Sequence, residues 1–140
     1  FRPFEECVRA GAAGIMCSYN ALNGIPACIH PELLTSTLRN EWGFDGYLVT
    51  DCGALADTIT GHGAAKDPID ASAKAKEASV DVNCGNVFRE GLLAAYQTGR
   101  IQASTIVDSF RRLARIQFRL GLFNSKQYNP DHDIQVVGSH

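Results

Sequence analysis

Short apolar runs that alternate with helix-type segments constrain this chain more than any other feature of its sequence. The apolar runs occupy residues 13–18 and 47–50, and residues 79–82 are predicted as a third short strand. An unbroken apolar run of this length is typical of a strand buried on both faces of a sheet. Because strands joined by helices run parallel, the pattern predicts an α/β fold with a parallel sheet covered by helices.

The segments around these runs carry helix signals. Proline opens the segments 31–42 and 68–78, and glycine closes residues 4–10. Two further helices are predicted over 87–98 and 104–120. The last helix begins at Ser104 as its N-cap and carries four apolar residues along one stripe: Ile106, Phe110, Leu113 and Leu120.

The segment after the second run is predicted as a glycine-rich loop, because Gly53, Gly61 and Gly63 lie close together. Lys74 and Lys76 are assigned to the solvated face of the helix that follows. Three strands cannot close a (β/α)₈ barrel, which needs about 250 residues. No glycine-rich phosphate motif follows the first run. The chain is therefore predicted to be a piece of an α/β domain, part of a barrel.

Charge and cysteine content exclude several classes of protein. Thirteen basic and fifteen acidic residues give a net charge of −2, which argues against a general electrostatic grip on nucleic acid or anionic membrane. No apolar run approaches the roughly 20 residues of a membrane span. The five cysteines include no C-x-x-C pair, so common zinc-site spacings are absent. One or two disulfides in an oxidising compartment are favoured over buried free thiols.

Polar residues follow each apolar run, at the strand ends where α/β enzymes place their active sites. They form three clusters, at residues 18–20, 51–52 and 83–85. Asp51 is the sharpest signal, because a carboxylate directly after a buried strand is costly unless it is paired, hydrogen-bonded or used. A capping role for Asp51 is the structural alternative.

Three segments carry a resemblance to a known family. Residues 15–26, IMCSYNALNGIP, closely resemble a loop segment of glycoside hydrolase family 3. Residues 42–51, WGFDGYLVTD, look like that family's nucleophile segment, and residues 80–85, VDVNCG, resemble the strand that follows it. The likeness extends over nearly the whole chain, from residue 4 to residue 123. It implies a partial TIM barrel that contains the last strands and helices of the barrel domain.

The resemblance assigns the chemistry of a retaining, exo-acting β-glycosidase. Asp51 is implied to be the nucleophile that forms a covalent glycosyl-enzyme. Tyr19 is implied to reach the same pocket and to hydrogen-bond near the nucleophile, with a core tyrosine as the structural alternative. His62 is assigned to the rim of the substrate pocket, with an ordinary loop histidine as the alternative. No cofactor or metal is expected.

Cysteine at position 52 points to a branch of the family. Many β-glucosidases of the family carry Trp there, whereas Cys52 with Cys84 is more similar to the β-xylosidase and α-L-arabinofuranosidase branch. A Cys52–Cys84 disulfide beside Asp51 would narrow the pocket where a hexose carries its CH₂OH group. The expected substrate is thus a xylo-oligosaccharide or another β-glycoside. Cys17 and Cys28 could pin the loop between them, which leaves Cys7 free or paired elsewhere.

The same resemblance predicts how the chain is organised. Residues 1–123 are assigned to the C-terminal part of the barrel domain, and residues 124–140 to a linker toward an α/β sandwich domain that supplies the acid/base carboxylate. The chain alone is accordingly expected to be an inactive fragment of a secreted enzyme. Alternatives are a β-glucosidase of the same family and a non-catalytic carbohydrate-binding pseudoenzyme. Asp81 is interpreted as a structural carboxylate, and His30 as an aid to helix entry.

Overall fold

Parallel strands flanked by helices form the structure, a computed structural model that describes residues 1–123. The predicted linker, residues 124–140, lies outside the described residues. In chain order the elements are α1 (Arg2–Arg9), β1 (Gly14–Cys17), β2 (Ala21–Leu22), β3 (Ile25–Pro26), a π-helix (Glu32–Glu41), β4 (Tyr47–Thr50), α2 (Ala54–Thr60), α3 (Pro68–Glu77), α4 (Val87–Gln97) and α5 (Ala103–Arg119).

The central sheet pairs β1 with β4 in parallel, as the first two apolar runs predict. Its register runs from Gly14 opposite Tyr47 to Cys17 opposite Thr50. Leu48 of β4 is fully buried, and α2 and α3 contribute the buried side chains of Leu55 and Ala75 to the same core. The first two strands therefore end side by side, which brings the residues after them to one edge of the sheet.

The third predicted strand, residues 79–82, is reduced to a single parallel bridge between Val49 and Val82. The backbone N–H of Leu48 donates to the Asp81 carboxylate at 2.9 Å instead of to a backbone carbonyl. Lys76 Nζ donates to the Val80 carbonyl at 2.9 Å. Side chains thus take backbone groups that a ladder would have used, and the prediction of a full strand is wrong.

A predicted loop and a predicted helix cap also need correction. The glycine-rich segment after Asp51 contains the helix α2, which buries Ala54, Leu55 and Thr58. The helix α5 begins at Ala103 after Gln102, so Ser104 lies inside its first turn and is not the N-cap.

The apolar stripe predicted for α5 is only partly buried. Phe110 is 68% exposed and Leu120 67% exposed, whereas Ile106 and Leu113 are half-buried. Ile116, which the stripe omitted, is buried on this helix. The periodicity predicts the position of α5 correctly, but among the described residues only part of the apolar surface of this helix is covered.

A buried charge cluster lies at the end of β4 away from Asp51. The Asp81 side chain is fully buried and accepts hydrogen bonds from Arg39 at 2.7 Å and Arg112 at 2.8 Å. Its bond to the Leu48 backbone confirms that Asp81 is a structural carboxylate. Lys76 is only 4% exposed, so its assignment to a solvated face is wrong. Burial lowers the pKa of Lys76 to about 8.

His30 performs the predicted role at a helix entry. Its Nδ1 accepts a hydrogen bond from the backbone N–H of Leu33 at 3.3 Å, within the first turn of the π-helix. Among residues 1–123, no helix has the length and apolar character needed to cross a membrane.

Candidate active site

Asp51 is held at the end of β4 by the continuing sheet. Its backbone N–H donates to the Cys17 carbonyl at 2.9 Å, which extends the pairing of β4 with β1 by one residue. The carboxylate Oδ1 accepts from the N–H of Cys52 at 2.7 Å. Within the described part of the chain, no donor bonds Oδ2. One carboxylate oxygen is thus oriented by the backbone while the other is available.

The residue before Asp51 anchors the neighbouring loop. Thr50 is almost completely buried, and its Oγ1 accepts from the Asn83 side chain and from the Cys84 N–H, both at 3.0 Å. The Gly53 N–H donates in turn to the Cys84 carbonyl at 2.9 Å. These bonds fix the segment that follows β4 against the segment that follows Val82.

Disulfides form between both predicted pairs of cysteines. Cys52 is bonded to Cys84 with a Cα–Cα separation of 4.4 Å, directly beside Asp51. Cys17 is bonded to Cys28 and ties together the two ends of the loop that follows β1. Cys7 is a free, exposed thiol.

Tyr19 reaches across this loop to the residue after the candidate nucleophile. Its hydroxyl donates to the Cys52 carbonyl. This contact depends on Gly53, where a Cβ would lie 3.0 Å from the Tyr19 hydroxyl and where φ is +88°. Glycine is the residue type that combines a left-handed backbone with so close an approach.

The turn between β2 and β3 continues the same loop. Asn23 and Gly24 have φ values of 51° and 84°, the left-handed pair of a type I′ hairpin turn, as the Asn-Gly sequence predicts. The Ala27 N–H donates to the Asn20 carbonyl at 3.1 Å and closes the hairpin over the Cys17–Cys28 bond. Tyr19 therefore belongs to a braced loop.

His62 lies on the far side of Tyr19. Its Nε2 is 2.8 Å from the Tyr19 carbonyl and 3.4 Å from Oδ2 of Asp57 on α2. The structure thus brings together all five residues that the sequence proposed for the site, through a continuous set of contacts: Tyr19, Asp51, Cys52, His62 and Cys84.

Sequence reasoning missed Asp57, Thr50 and Gly53 as members of this site. Asp57 could not be predicted without the helix α2, because it is this helix that places the Asp57 carboxylate near His62. Thr50 offers a weak sequence signal: it is the one aliphatic hydroxyl in the four-residue strand β4.

Other features of the described residues lie outside this site. A cavity of about 450 Å³ is lined by apolar residues that include Phe4, Met16 and Trp42, and its lining does not include Asp51. Across residues 1–123, no group of three or more His, Cys, Asp or Glu side chains is arranged to hold a metal ion.

Comparisons with known sequences give a consistent family. The family described as "Glycosyl hydrolase family 3 N terminal domain" matches residues 1–116. A probable beta-D-xylosidase 7 of Arabidopsis thaliana is 42% identical over 123 residues, which is 87% of this chain and 16% of that protein. A probable exo-1,4-beta-xylosidase of Neosartorya fischeri is 40% identical over 136 residues, 94% of this chain and 18% of that protein.

Solved structures agree with these sequence matches. An exo-beta-xylosidase of the family, in complex with a xylobiose aziridine activity-based probe, superposes with a TM-score of 0.85 at 32% identity, over 90% of this chain and 17% of that one. A beta-glucosidase from Listeria innocua in complex with glucose gives 0.83 at 31% identity, over 87% of this chain and 17% of that one. The chain thus spans 16–18% of the length of the relatives named here. It belongs to glycosyl hydrolase family 3.

Proposed function

We propose that this chain carries the nucleophile of a retaining, exo-acting β-D-xylosidase. The observation that carries the proposal is the Asp51 carboxylate at the C-terminal end of β4, with Oδ1 bonded to the Cys52 N–H and with no donor on Oδ2 among the described residues. A nucleophile needs a free oxygen lone pair together with a fixed orientation. Asp51 offers both.

The reaction that fits this geometry is a double displacement. In the first step Oδ2 of Asp51 bonds to the anomeric carbon as the bond to the leaving oxygen breaks, and that oxygen takes a proton from a second carboxyl group. In the second step water loses a proton to the same group and attacks the anomeric carbon, which releases Asp51 as a carboxylate. The configuration at the anomeric carbon is retained.

The second carboxyl group is proposed to come from outside these 140 residues. Residues 1–123 are assigned to the C-terminal part of the barrel domain and residues 124–140 to a linker toward the domain that supplies the acid/base. On this proposal the 140 residues alone do not turn over substrate. The two disulfides support an extracellular setting, since such bonds persist in oxidising compartments.

A pentoside substrate is supported by the Cys52–Cys84 bond. The Cys52–Cys84 disulfide, with its Cα atoms 4.4 Å apart, follows Asp51 directly. With a sugar bound at Asp51, this bond would fill space next to the sugar ring. A xyloside has no exocyclic CH₂OH group, so it avoids a clash that a glucoside would meet. The two sequence relatives named above are described as xylosidases.

A β-glucosidase of the same family is the second candidate. The Listeria innocua enzyme bound to glucose superposes with this chain almost as well as the xylosidase does. A non-catalytic carbohydrate-binding protein would share Asp51 and Tyr19 without turnover. The ratio of activity on aryl xyloside to activity on aryl glucoside separates the first two, and absence of both activities indicates the third.

Chemical rescue tests the nucleophile in the full-length protein. Asp51→Gly removes the attacking oxygen, so hydrolysis of an aryl xyloside should be lost. Added azide should then restore release of the aryl group and form the α-glycosyl azide, because azide attacks where the carboxylate did. Asp45→Gly is the matched control, since Asp45 is an exposed carboxylate paired with Arg115. Azide rescue at position 45, or none at position 51, would contradict the assignment.

A further inference from the structure

We propose that His62 is a positioning residue that fixes Tyr19 against the loop of the nucleophile. This proposal rests on the proposed function of Asp51 and adds a residue to it. Two contacts hold Tyr19 from opposite sides: its hydroxyl donates to the Cys52 carbonyl, and its backbone carbonyl lies 2.8 Å from His62 Nε2. We call this pair of contacts the Tyr19 clamp.

The chemistry of the two partners determines the direction of the His62 bond. A backbone carbonyl only accepts hydrogen bonds, so Nε2 of His62 must carry the proton and donate. Asp57 Oδ2, at 3.4 Å from the same nitrogen, is a second acceptor on that side of the ring. The imidazole is therefore held as a donor that points at Tyr19.

His62 is itself fixed by the end of α2. Its backbone N–H donates to the Asp57 carbonyl at 2.9 Å, and the next turn is closed by Ala64, which donates to the Thr58 carbonyl at 2.8 Å. Thr58 is fully buried, so this anchor belongs to the core. The Tyr19 clamp thus links an exposed tyrosine to a helix that is buried along one face.

The second contact of the Tyr19 clamp is made with Cys52, the residue that follows the proposed nucleophile. Cys52 accepts from Tyr19 through its carbonyl, while its N–H donates to Asp51 Oδ1. The carbonyl and the N–H belong to the same residue, Cys52, which the disulfide also joins to Cys84. A shift of Tyr19 would therefore change the packing beside the attacking oxygen, although His62 does not contact Asp51.

The test uses three variants of the full-length protein. His62→Gln keeps an N–H donor at nearly the distance of Nε2 from the backbone. His62→Asn has the same amide on a side chain one CH₂ shorter, and His62→Phe keeps the ring without a donor. We expect kcat on an aryl xyloside to fall about tenfold in the Phe and Asn variants, with KM nearly unchanged. The Gln variant should keep most of the activity.

The melting temperature and a crystal structure of each variant distinguish positioning from folding. Positioning predicts similar melting temperatures, with Tyr19 displaced from the Cys52 carbonyl in the Phe and Asn variants only. Wild-type kcat in all three variants, or a Gln variant as slow as the Phe variant, would overturn the proposal. If the wild-type protein shows no glycosidase activity, the proposed function fails. The displacement of Tyr19 then decides alone whether the clamp exists.

Discussion

Two aspartates lie at opposite ends of the same sheet, and their surroundings differ in almost every respect. Asp81 has a fully buried side chain that accepts bonds from Arg39, from Arg112 and from the Leu48 backbone N–H. Asp51 accepts one hydrogen bond on Oδ1, from the N–H of the residue that follows it. The first carboxylate is saturated with donors, whereas the second keeps one oxygen free.

The difference teaches which carboxylate can do chemistry. Each donor on a carboxylate stabilises its negative charge and occupies a lone pair, so a saturated group is a poor nucleophile. Asp81 fixes the end of β4 that lies away from Asp51, through its bond to the Leu48 backbone. Burial lowers the pKa of its neighbour Arg39, although the negative charge of Asp81 acts in the opposite direction. Asp51 makes no contact of this kind: it is bonded through its backbone to Cys17 and through Oδ1 to Cys52. The two residues should therefore respond to mutation in opposite ways.

Substitution of the proposed nucleophile should have the largest effect. Asp51→Asn in the full-length protein is expected to lower kcat on an aryl xyloside by about 1000-fold or more, because the amide cannot form the glycosyl ester. The Asn Oδ1 can still accept from Cys52, so hydrogen exchange of the peptide over β4 should be unchanged. Steady-state kinetics and exchange mass spectrometry measure the two quantities. If the β4 amides of the Asp51→Asn variant also exchanged faster, Asp51 would be a structural residue like Asp81, and the contrast between them would not hold.

The converse substitution should damage the fold. Asp81→Asn leaves Arg39 and Arg112 without their buried counter-charge, which is expected to cost about 3–5 kcal/mol. Hydrogen exchange of the β4 amides in the full-length protein measures this as faster local opening. Asp45→Asn, at an exposed ion pair, is the control and should change exchange little. Equal exchange in both variants would show that the buried cluster does not hold the sheet.

A side chain added at Gly53, next to the Tyr19 hydroxyl, should have an intermediate effect on activity. Gly53→Ala places a Cβ 3.0 Å from the Tyr19 hydroxyl, so the tyrosine must move and kcat/KM should fall by about tenfold. Gly99→Ala is matched to it, because Gly99 also has a positive φ, +74°, with nothing within 4 Å of the added Cβ. Both variants carry the left-handed penalty, so only the difference between them reports on Tyr19. The same kcat/KM in both would refute the contact.

Removal of the disulfide beside Asp51 should change selectivity more than rate. Cys52→Ser with Cys84→Ser removes the bond that is proposed to limit the space for the sugar, so the xyloside-to-glucoside ratio of kcat/KM should fall by about tenfold. The control is Cys17→Ser with Cys28→Ser, which removes the other disulfide, the one across the loop that follows β1. That control should lower stability while the ratio stays constant. An unchanged ratio in the first double variant would end the steric explanation.

The buried lysine near Asp81 should give the smallest effect, on pH dependence. The folded pKa of Lys76 is lowered to about 8, so above that pH the folded state releases the proton before the unfolded state does. Stability should then rise with pH from about 8 to the ordinary lysine pKa, by at most about 1.4 kcal/mol per pH unit. Melting temperatures of wild type and Lys76→Met across this range measure it. A constant difference between the two proteins would contradict the lowered pKa.

The first two strands of the sheet and most helix positions could be predicted, because their signals are local or carried by long motifs. β4 lies where the apolar run places it, and Asp51 follows it directly. The helix α2 was missed because seven residues between glycines give little periodicity, and its stability comes from burying Leu55.

Contacts between distant residues could not be predicted in this way. Lys76 looks like a solvated lysine in sequence, yet it donates to Ser109, 33 residues away on α5, at 3.0 Å. The His62 bond to Tyr19 joins residues 43 positions apart, and no local pattern marks it. Such contacts arise from tertiary packing, which decides whether a polar side chain is solvated or used.

Covalent trapping tests the central claim that Asp51 is the nucleophile. The full-length protein is incubated with a 2-deoxy-2-fluoro-xyloside that has a good leaving group, then digested with a protease and sequenced by mass spectrometry. We expect a fluoroxylosyl group on the peptide that contains residues 47–51, attached to Asp51, with loss of activity in proportion to labelling. A stable label on any other residue would contradict the assignment.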